Sequence, residues 1–401
     1  MCVENEKYME KKWYTGAVIA CIDVASAAFF VHLIRRFTLM AVLFDYLDWR
    51  GDLSFSADPA NESDYYLISK IGCPNLTGFV PSDEQDAALP EVVASFLAHA
   101  GNQTVSLGIS SSPYVLESFY RLATVPRFQS LMLSGFRRND DLDNAEQFSA
   151  LTVRIPDGTR FVTFRGTDDN IFAWKENFRM AVMDAIPAQK DALNYLQWAM
   201  GAYDGNFIVC GHSKGGNLAV YASSMLPREM QDRIISVYNF DGPGFQDAFL
   251  KEEGYLRILP KLHSLIPQNS IVGLLLSSGK DPEVVACNCF GVRAHDGFTW
   301  EVLGTGFVRS EALSQSSATF KKAMNETLSN MSLQEREVFI EDFFQIMTST
   351  GAFTLTDLTE TRLVSALEIV RSLGRDKEVH KFASSIISNA LADLRSKRDH
   401  C

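Results

Sequence analysis

The sequence predicts an α/β fold: a mostly parallel central sheet with helices on both faces. Three observations predict it. Strand-like apolar runs alternate with helical patterns between residues 149 and 290, with a single hairpin at the start and longer crossovers after it. In the middle lies Phe207-Ile-Val-Cys-Gly211-His-Ser213-Lys-Gly215-Gly-Asn-Leu, an apolar run that turns abruptly into a helical pattern ending at Pro227. After Val308 glycines thin out and the pattern is helical to the end.

The chain has 401 residues, room for one large domain with additions or for two domains. Its 46% hydrophobic and 21% charged residues are ordinary for a globular protein with a sizeable core. The 49 acidic and 37 basic residues give a net charge of -12, which argues against nucleic acid as a partner because phosphate binding needs a basic face. The cysteines number seven, and Cys287-x-Cys289 lacks the spacer and the second pair of a zinc site. The expectation is free thiols in a reducing cytoplasm, with no metal and no organic cofactor.

Taken in order, residues 1–40 form an extension, 41–308 carry the sheet with a helical layer before it, and 309–401 are helical. Trp13 to Ile34 has the length of a membrane span. Asp23 near its middle costs about 2.5 to 3.5 kcal/mol on an insertion scale, so membrane contact through residues 13–34 is possible but not favoured, and a membrane-tethered hydrolase is the alternative expectation. Asp45 to Asp52 is charged, aromatic and turn-ending. Tyr65 to Ile71, Leu89 to Ala100 and Pro113 to Thr124 carry apolar faces at helical spacing, the last stopped by Val125-Pro126. Ser149 to Ile155 and Arg160 to Phe164 are strand-like runs joined by Pro156-Asp-Gly-Thr159, a hairpin turn. Helices around Trp174 to Phe178 and Gln189 to Tyr203 lead to the run at Phe207. Beyond it come strand Ile234 to Phe240, the turn Asp241-Gly-Pro-Gly244, strand Leu262 to Ile266, an apolar run Ile271 to Leu276 and strand Val284 to Phe290. Phe320, Met324 and Leu328 make one C-terminal stripe, Val338, Phe343 and Ile346 another, and Leu363, Leu367 and Val370 a third.

Gly-His-Ser-Lys-Gly, between strand and helix, matches the G-x-S-x-G pattern. A serine on so sharp a turn has a strained backbone, and Gly211 and Gly215 spare it Cβ collisions. The helix that follows aims its first amides at the serine oxygen. Ser213 is therefore a candidate nucleophile, in need of a base and a group to orient that base. His32 and His99 precede it in helical segments, His380 and His400 belong to the C-terminal helices, and His212 is its direct neighbour, with a side chain leaving in another direction. His295 follows the last strand in a loop at the carboxyl edge and is the preferred base, with His263 as the alternative. Asp241 ends a strand at the edge where Ser213 emerges and is the preferred acid, although such a turn also favours a capping aspartate. Asp281, Glu283 and Asp296 remain alternatives. The Lys214 amide and Thr167, after Gly166, are candidate oxyanion donors.

Together these motifs resemble the class 3 (fungal-type) lipases of the α/β-hydrolase fold, and more closely a bacterial branch of lipase-like hydrolases. The likeness is carried by Phe164-Arg-Gly-Thr167, Trp174-Lys-Glu176, Gly211-His-Ser-Lys-Gly-Gly-Asn-Leu-Ala219, Phe240-Asp-Gly-Pro-Gly244 and His295-Asp-Gly-Phe-Thr-Trp300, and it spans residues 41–305. It implies a lipase- or esterase-like serine hydrolase acting on a small-molecule or lipid ester, with Ser213 as nucleophile, His295 as base, and Thr167 and Lys214 as oxyanion donors. One departure stands out. Those lipases carry their acid in an Asp-Ile-Val-Pro-like segment, and here the matching stretch is Asn269-Ser-Ile-Val-Gly273, with Ser270 in the acid's place. Either Asp241 supplies the acid from the preceding strand or the triad is incomplete, as in a scaffold used for binding.

Overall fold

The computed structural model describes residues 41–100, 113–141, 146–167, 177–289, 293–329 and 331–349. The expectations for residues 1–40, for Trp174-Lys-Glu176 and for the stripe from Leu363 to Val370 lie outside the described residues. Eight strands form one sheet in chain order: β1 (Ala87–Ala88), β2 (Met132–Asp141), β3 (Glu146–Arg154), β4 (Arg160–Phe164), β5 (Phe207–His212), β6 (Ile234–Phe240), β7 (Leu262–Pro267) and β8 (Glu283–Val285). From β4 to β8 the pairing is parallel; β1 to β4 pair antiparallel.

The hairpin at Pro156-Asp-Gly forms as expected, with Leu151 opposite Thr163 and Gly158 at a φ of +88°. One local expectation, the end of the last strand, is corrected, and two stretches to which the sequence assigns no element take shape. β2 is a strand that its sequence hides, because four of its ten residues are charged and a bulge between Ser134 and Arg137 breaks its alternation. The last strand stops at Val285 rather than Phe290, since the chain leaves β7 there and Cys287 bridges to Trp300 instead. The apolar run at Ile271 folds into a single helical turn, Val272–Leu274.

Buried strands alternate their side chains between two helical layers. Phe161, Ile208 and Cys210 face the N-terminal layer, whereas Val162, Phe164 and Val209 face the other side. In the N-terminal layer are α1 (Leu43–Arg50), α2 (Glu62–Ile71), α3 (Leu89–Ala100) and α4 (Pro113–Thr124), with α2 directly against β4 and β5. On the opposite face lie α5 (Pro187–Ala202) and α6 (Lys214–Met225), followed by short α7 (Arg228–Asp232) and α8 (Glu253–Ile258). α9 (Gln315–Ser329) and α10 (Leu333–Ser349) come last, and Arg336 of α10 donates to the Ala181 carbonyl at 3.3 Å.

One buried ion pair organises the N-terminal layer. Arg127 and Asp64, both fully buried, share two hydrogen bonds of 2.9 and 2.5 Å. The guanidinium also donates to the Leu53, Asp58 and Pro59 carbonyls, and Tyr46 donates to the carboxylate at 2.7 Å. This satisfaction of the donors is what makes the burial tolerable; removing one partner would cost about 3–5 kcal/mol. The layer is thereby fixed over the sheet edge, and α2 ties it to the site. Tyr66 accepts from the Gly297 amide at 2.9 Å, and its ring lies 5.8 Å from that of His212 and 5.1 Å from that of Phe240. Among the described residues, no helix is long and apolar enough to cross a membrane.

Candidate active site

β5 delivers Ser213 to the carboxyl edge of the sheet in a conformation that L-residues rarely adopt, φ +60° and ψ −132°. Such a residue costs of order 1–3 kcal/mol and persists because its surroundings over-determine it. Here the Ser213 amide donates to the Phe240 carbonyl at 2.9 Å, and the Ser213 carbonyl accepts from Gly216 at 2.9 Å as α6 begins. The two elbow glycines allow this packing. A Cβ on Gly211 would stand 2.2 Å from the Gly215 carbonyl, and one on Gly215 would stand 2.0 Å from the Phe164 carbonyl oxygen. No side chain fits at either position, so the first turn of α6 can rest on β4 and β5 only with glycine there.

The neighbouring strand ends in the second special backbone. Asp241, fully buried, has φ +51°, a region that aspartate tolerates, and its amide donates to the Leu265 carbonyl of β7 at 2.7 Å. Its Oδ2 lies 2.6 Å from His295 Nδ1. Its Oδ1 accepts from Ser270 Oγ at 2.6 Å and from the Gly273 amide at 3.1 Å. The Asp-Gly-Pro-Gly turn is held by two asparagines: Asn239 accepts from the Gly242 amide at 2.9 Å, and Asn217 of α6 donates to the Pro243 and Gly244 carbonyls at 3.1 and 3.0 Å.

His295 is 5% exposed, in a loop closed by Asp296, which caps the turn Gly297–Thr299 through the Phe298 amide. The His295 carbonyl takes a 2.6 Å hydrogen bond from His212 Nε2, and the two imidazole rings are 4.4 Å apart. A carbonyl only accepts, so the His212 proton sits on Nε2. Burial above all, then the charge of Lys70 and then His295, push the His212 imidazole well below its usual range, which keeps it neutral.

Thr167 is buried at the end of β4, paired with the Asn177 amide at 2.9 Å. Gly166 before it lies against the Ser213 turn, its would-be Cβ 3.1 Å from Ser213 Cβ. The Lys214 amide opens α6, while its buried side chain reaches away to the Gln147 carbonyl of β3 at 2.6 Å.

Ser213, Asp241 and the His295 loop thus meet at one edge of the sheet, with Thr167 and Lys214 flanking the serine. The rival residues lie elsewhere. His263, at the start of β7, stacks on Tyr238 at 4.6 Å, with Glu283 3.6 Å away. Glu283 pairs with Arg309 at 2.7 Å, and Asp296 is committed to its cap. Sequence reasoning missed two members. It set His212 aside as a mere neighbour of the serine, and it counted Ser270 only as a lost acid, although the hydroxyl is a donor to Asp241.

A parallel sheet entered through an antiparallel edge, helices on both faces and a glycine-lined strand–serine–helix turn define a lipase-like α/β-hydrolase fold. The chain belongs to the Mbeg1-like family, a lipase-like family whose model matches residues 122–345. Similar solved structures include M37 lipase, at 12% identity over 84% of this chain and 98% of that one, with a TM-score of 0.38. A lipase from Rhizopus microsporus var. chinensis aligns at 18% identity over 54% of this chain and 81% of its own, with a TM-score of 0.29. The Rhizomucor miehei lipase, in complex with its propeptide, aligns at 15% identity over 51% and 70%, also with a TM-score of 0.29. No curated protein sequence matches the chain.

Proposed function

We propose that the chain is a serine hydrolase cleaving a carboxylic ester or related acyl bond of a small molecule or lipid, with Ser213 as nucleophile, His295 as base and Asp241 as the acid. The observation that carries this reading is the 2.6 Å contact between His295 Nδ1 and the buried Asp241 carboxylate, beside the turn that bears Ser213. A carboxylate there draws the imidazole proton to Nδ1 and presents Nε2 as the acceptor. Ser213 Oγ attacks the acyl carbon while its proton passes to His295. The Lys214 amide and Thr167 meet the charge that develops on the carbonyl oxygen. The C–O bond then breaks, and the departing alcohol takes the proton from His295. Water repeats the sequence on the acyl-enzyme: its proton goes to His295, its oxygen adds to the acyl carbon, and Ser213 leaves with that proton as the acid is released.

Ser270 in the place of the usual acid would favour a non-catalytic scaffold if Asp241 lacked support. Its hydroxyl instead donates to Asp241 at 2.6 Å, alongside the Gly273 amide. The test is a fluorophosphonate probe on the folded protein. The expected result is one covalent adduct on Ser213, lost in Ser213→Ala; folded wild-type protein that takes no adduct overturns the reading.

A further inference from the structure

Two cysteines stand where the supports of Asp241 and of the His295 loop meet. Past β8 the chain bends at Asn288, and Cys287 and Cys289 flank the bend as free thiols. Fully extended, residues two apart have Cα atoms about 7 Å apart, and a bend draws them closer, into the reach of a disulfide. The Cys289 amide donates to Cys287 Sγ at 3.3 Å, which turns the first side chain toward the second residue. The two sulfurs are themselves hydrogen-bonded.

The pair is asymmetric. Cys287 is fully buried, and its Sγ lies 3.4 Å from Thr299 Oγ1. The Thr299 hydroxyl has a single proton, directed at the Asp296 and Arg293 carbonyls at 2.7 and 3.1 Å, so at Thr299 the Cys287 thiol is the donor. Cys289 is partly exposed. Its hydrogen bond with Cys287 first, then the charge of Arg293, bring the Cys289 thiol down to about 6. The same hydrogen bond, then burial, push the Cys287 thiol up. An accessible thiolate beside a protonated thiol is the arrangement of a peroxide-reactive cysteine with its resolving partner.

The contacts of the pair lead to both sides of the candidate triad. Asn269 Nδ2 donates to the Cys287 and Cys289 carbonyls at 3.2 and 2.7 Å, and the next residue, Ser270, donates to Asp241. Thr299, the acceptor for Cys287, holds the carbonyls of Arg293 and Asp296, which lie on either side of His295 in the chain. One bend thus anchors the segment that fixes Asp241 and the loop that carries His295.

We propose that Cys287 and Cys289 form a redox switch, which a hydroperoxide closes to a disulfide that loosens the Asp241–His295 contact and turns the hydrolase off. Its consequence rests on the hydrolase reading; its chemistry does not. The Cys289 thiolate attacks a peroxide oxygen, an S–O bond forms as the O–O bond breaks, and the departing oxygen takes a proton from solvent. The Cys287 sulfur then attacks the Cys289 sulfur. The S–S bond forms, the S–O bond breaks, and the hydroxide leaves with the Cys287 proton as water. The thiols lose two electrons, and the hydroperoxide gains them. Thr299 loses its Cys287 donor, and the closed ring tightens the bend whose carbonyls Asn269 holds. A dithiol reverses the change.

Treating the folded full chain with sub-millimolar hydrogen peroxide, then digesting it with trypsin, tests the chemistry. The peptide from Asp281 to Arg293 contains both cysteines and should become lighter by two hydrogens. Cys287→Ser should stop at the Cys289 sulfenic acid, which dimedone traps, and Cys289→Ser should leave Cys287 reduced. Fluorophosphonate labelling reads the consequence. It should slow at least ten-fold after peroxide in the wild type, recover with dithiothreitol, and be unaffected by peroxide in Cys289→Ser. Ten-fold is a modest demand, since a 1 Å misplacement can cost about 10²-fold. A peptide mass unchanged by peroxide, or a disulfide that leaves labelling as fast as before, overturns the switch. If Cys289→Ser fails to fold, the wild-type peptide and its reversal by dithiothreitol decide. A reduced wild type that does not label overturns the hydrolase reading instead, while the peptide mass still reports the disulfide.

Discussion

Replacing Asp241 by asparagine leaves the side-chain volume almost unchanged, and the structure dictates which way the new amide points. One carboxylate oxygen, Oδ1, accepts from the Gly273 backbone amide at 3.1 Å and from Ser270 Oγ at 2.6 Å. A backbone N–H cannot become an acceptor, so the amide oxygen must occupy that place. The NH2 group is then aimed at His295 Nδ1, where Oδ2 stood at 2.6 Å. Facing a donor, Nδ1 must accept, and the imidazole proton moves to Nε2. The base would then present a proton to Ser213 where it should take one. In a chymotrypsin-type triad the same exchange lowers kcat about 10⁴-fold, which at about 1.36 kcal/mol per decade is about 5.4 kcal/mol of transition-state stabilisation. We expect a loss of that size in Asp241→Asn, both in the rate of fluorophosphonate labelling and in kcat for a short-chain 4-nitrophenyl ester.

The fold should survive this change. Asparagine keeps both hydrogen bonds on Oδ1 and tolerates the φ of +51° as well as aspartate does. The melting temperature should stay close to wild type, which separates a tautomer error from unfolding. Asp241→Ala is the contrasting case, since it strands the Ser270 and Gly273 donors in a buried place at about 1–3 kcal/mol each. An Asp241→Asn variant that is folded and keeps more than a tenth of wild-type activity would refute the assignment of Asp241 as the orienting acid.

Two further outcomes follow from the same geometry. Gly215→Ala places a methyl 2.0 Å from the Phe164 carbonyl oxygen, so α6 must lift from β4; urea denaturation should show a loss of about 3 kcal/mol or more. Gly201→Ala on α5, where a Cβ meets nothing within 4 Å, should cost nothing or stabilise slightly, and equal effects at the two positions would contradict the close-packed elbow. His212 is neutral in the fold, with its pKa well below 6.5, but takes a proton in the unfolded chain. Its contribution to stability is therefore complete above about pH 6.5 and is lost as the pH falls, by up to about 1.4 kcal/mol per pH unit. His212→Gln keeps a donor for the His295 carbonyl but does not titrate, so the slope of stability against acid pH should shrink by up to one proton; an unchanged slope would show that His212 is protonated in the fold.

What could be read in the chain, and what could not, divides along a physical line. The elbow was legible because its demand is local: two glycines at fixed offsets from Ser213, after an apolar run and before a helix. The strands from β3 to β7 were legible for the same kind of reason. β2 was not, because four of its ten residues are charged and its pairing with β3 is a tertiary fact. His212 was discounted on the sound premise that adjacent side chains diverge. It does point to the α2 side, but the His295 loop folds over the sheet edge and brings its carbonyl there.

Ser270 and Asp241 make the distinction sharpest. The sequence alone presents a missing acid and a turn aspartate, two unrelated weaknesses. In space the two side chains touch at 2.6 Å, at the ends of the adjacent parallel strands β6 and β7. The two positions lie side by side at that edge, so on the proposed reading the one carboxylate the triad needs can come from either strand. Two carboxylates at this separation would raise each other's pKa and compete for one imidazole proton, so only one of the two positions can hold the acid. The other is best filled by a hydroxyl, which donates to the anion and, with the Gly273 amide, fixes which oxygen faces His295. On that view Ser270 is the complement of an acid that has moved to the preceding strand, and its presence is a reason to expect a working Asp241 rather than a dead site.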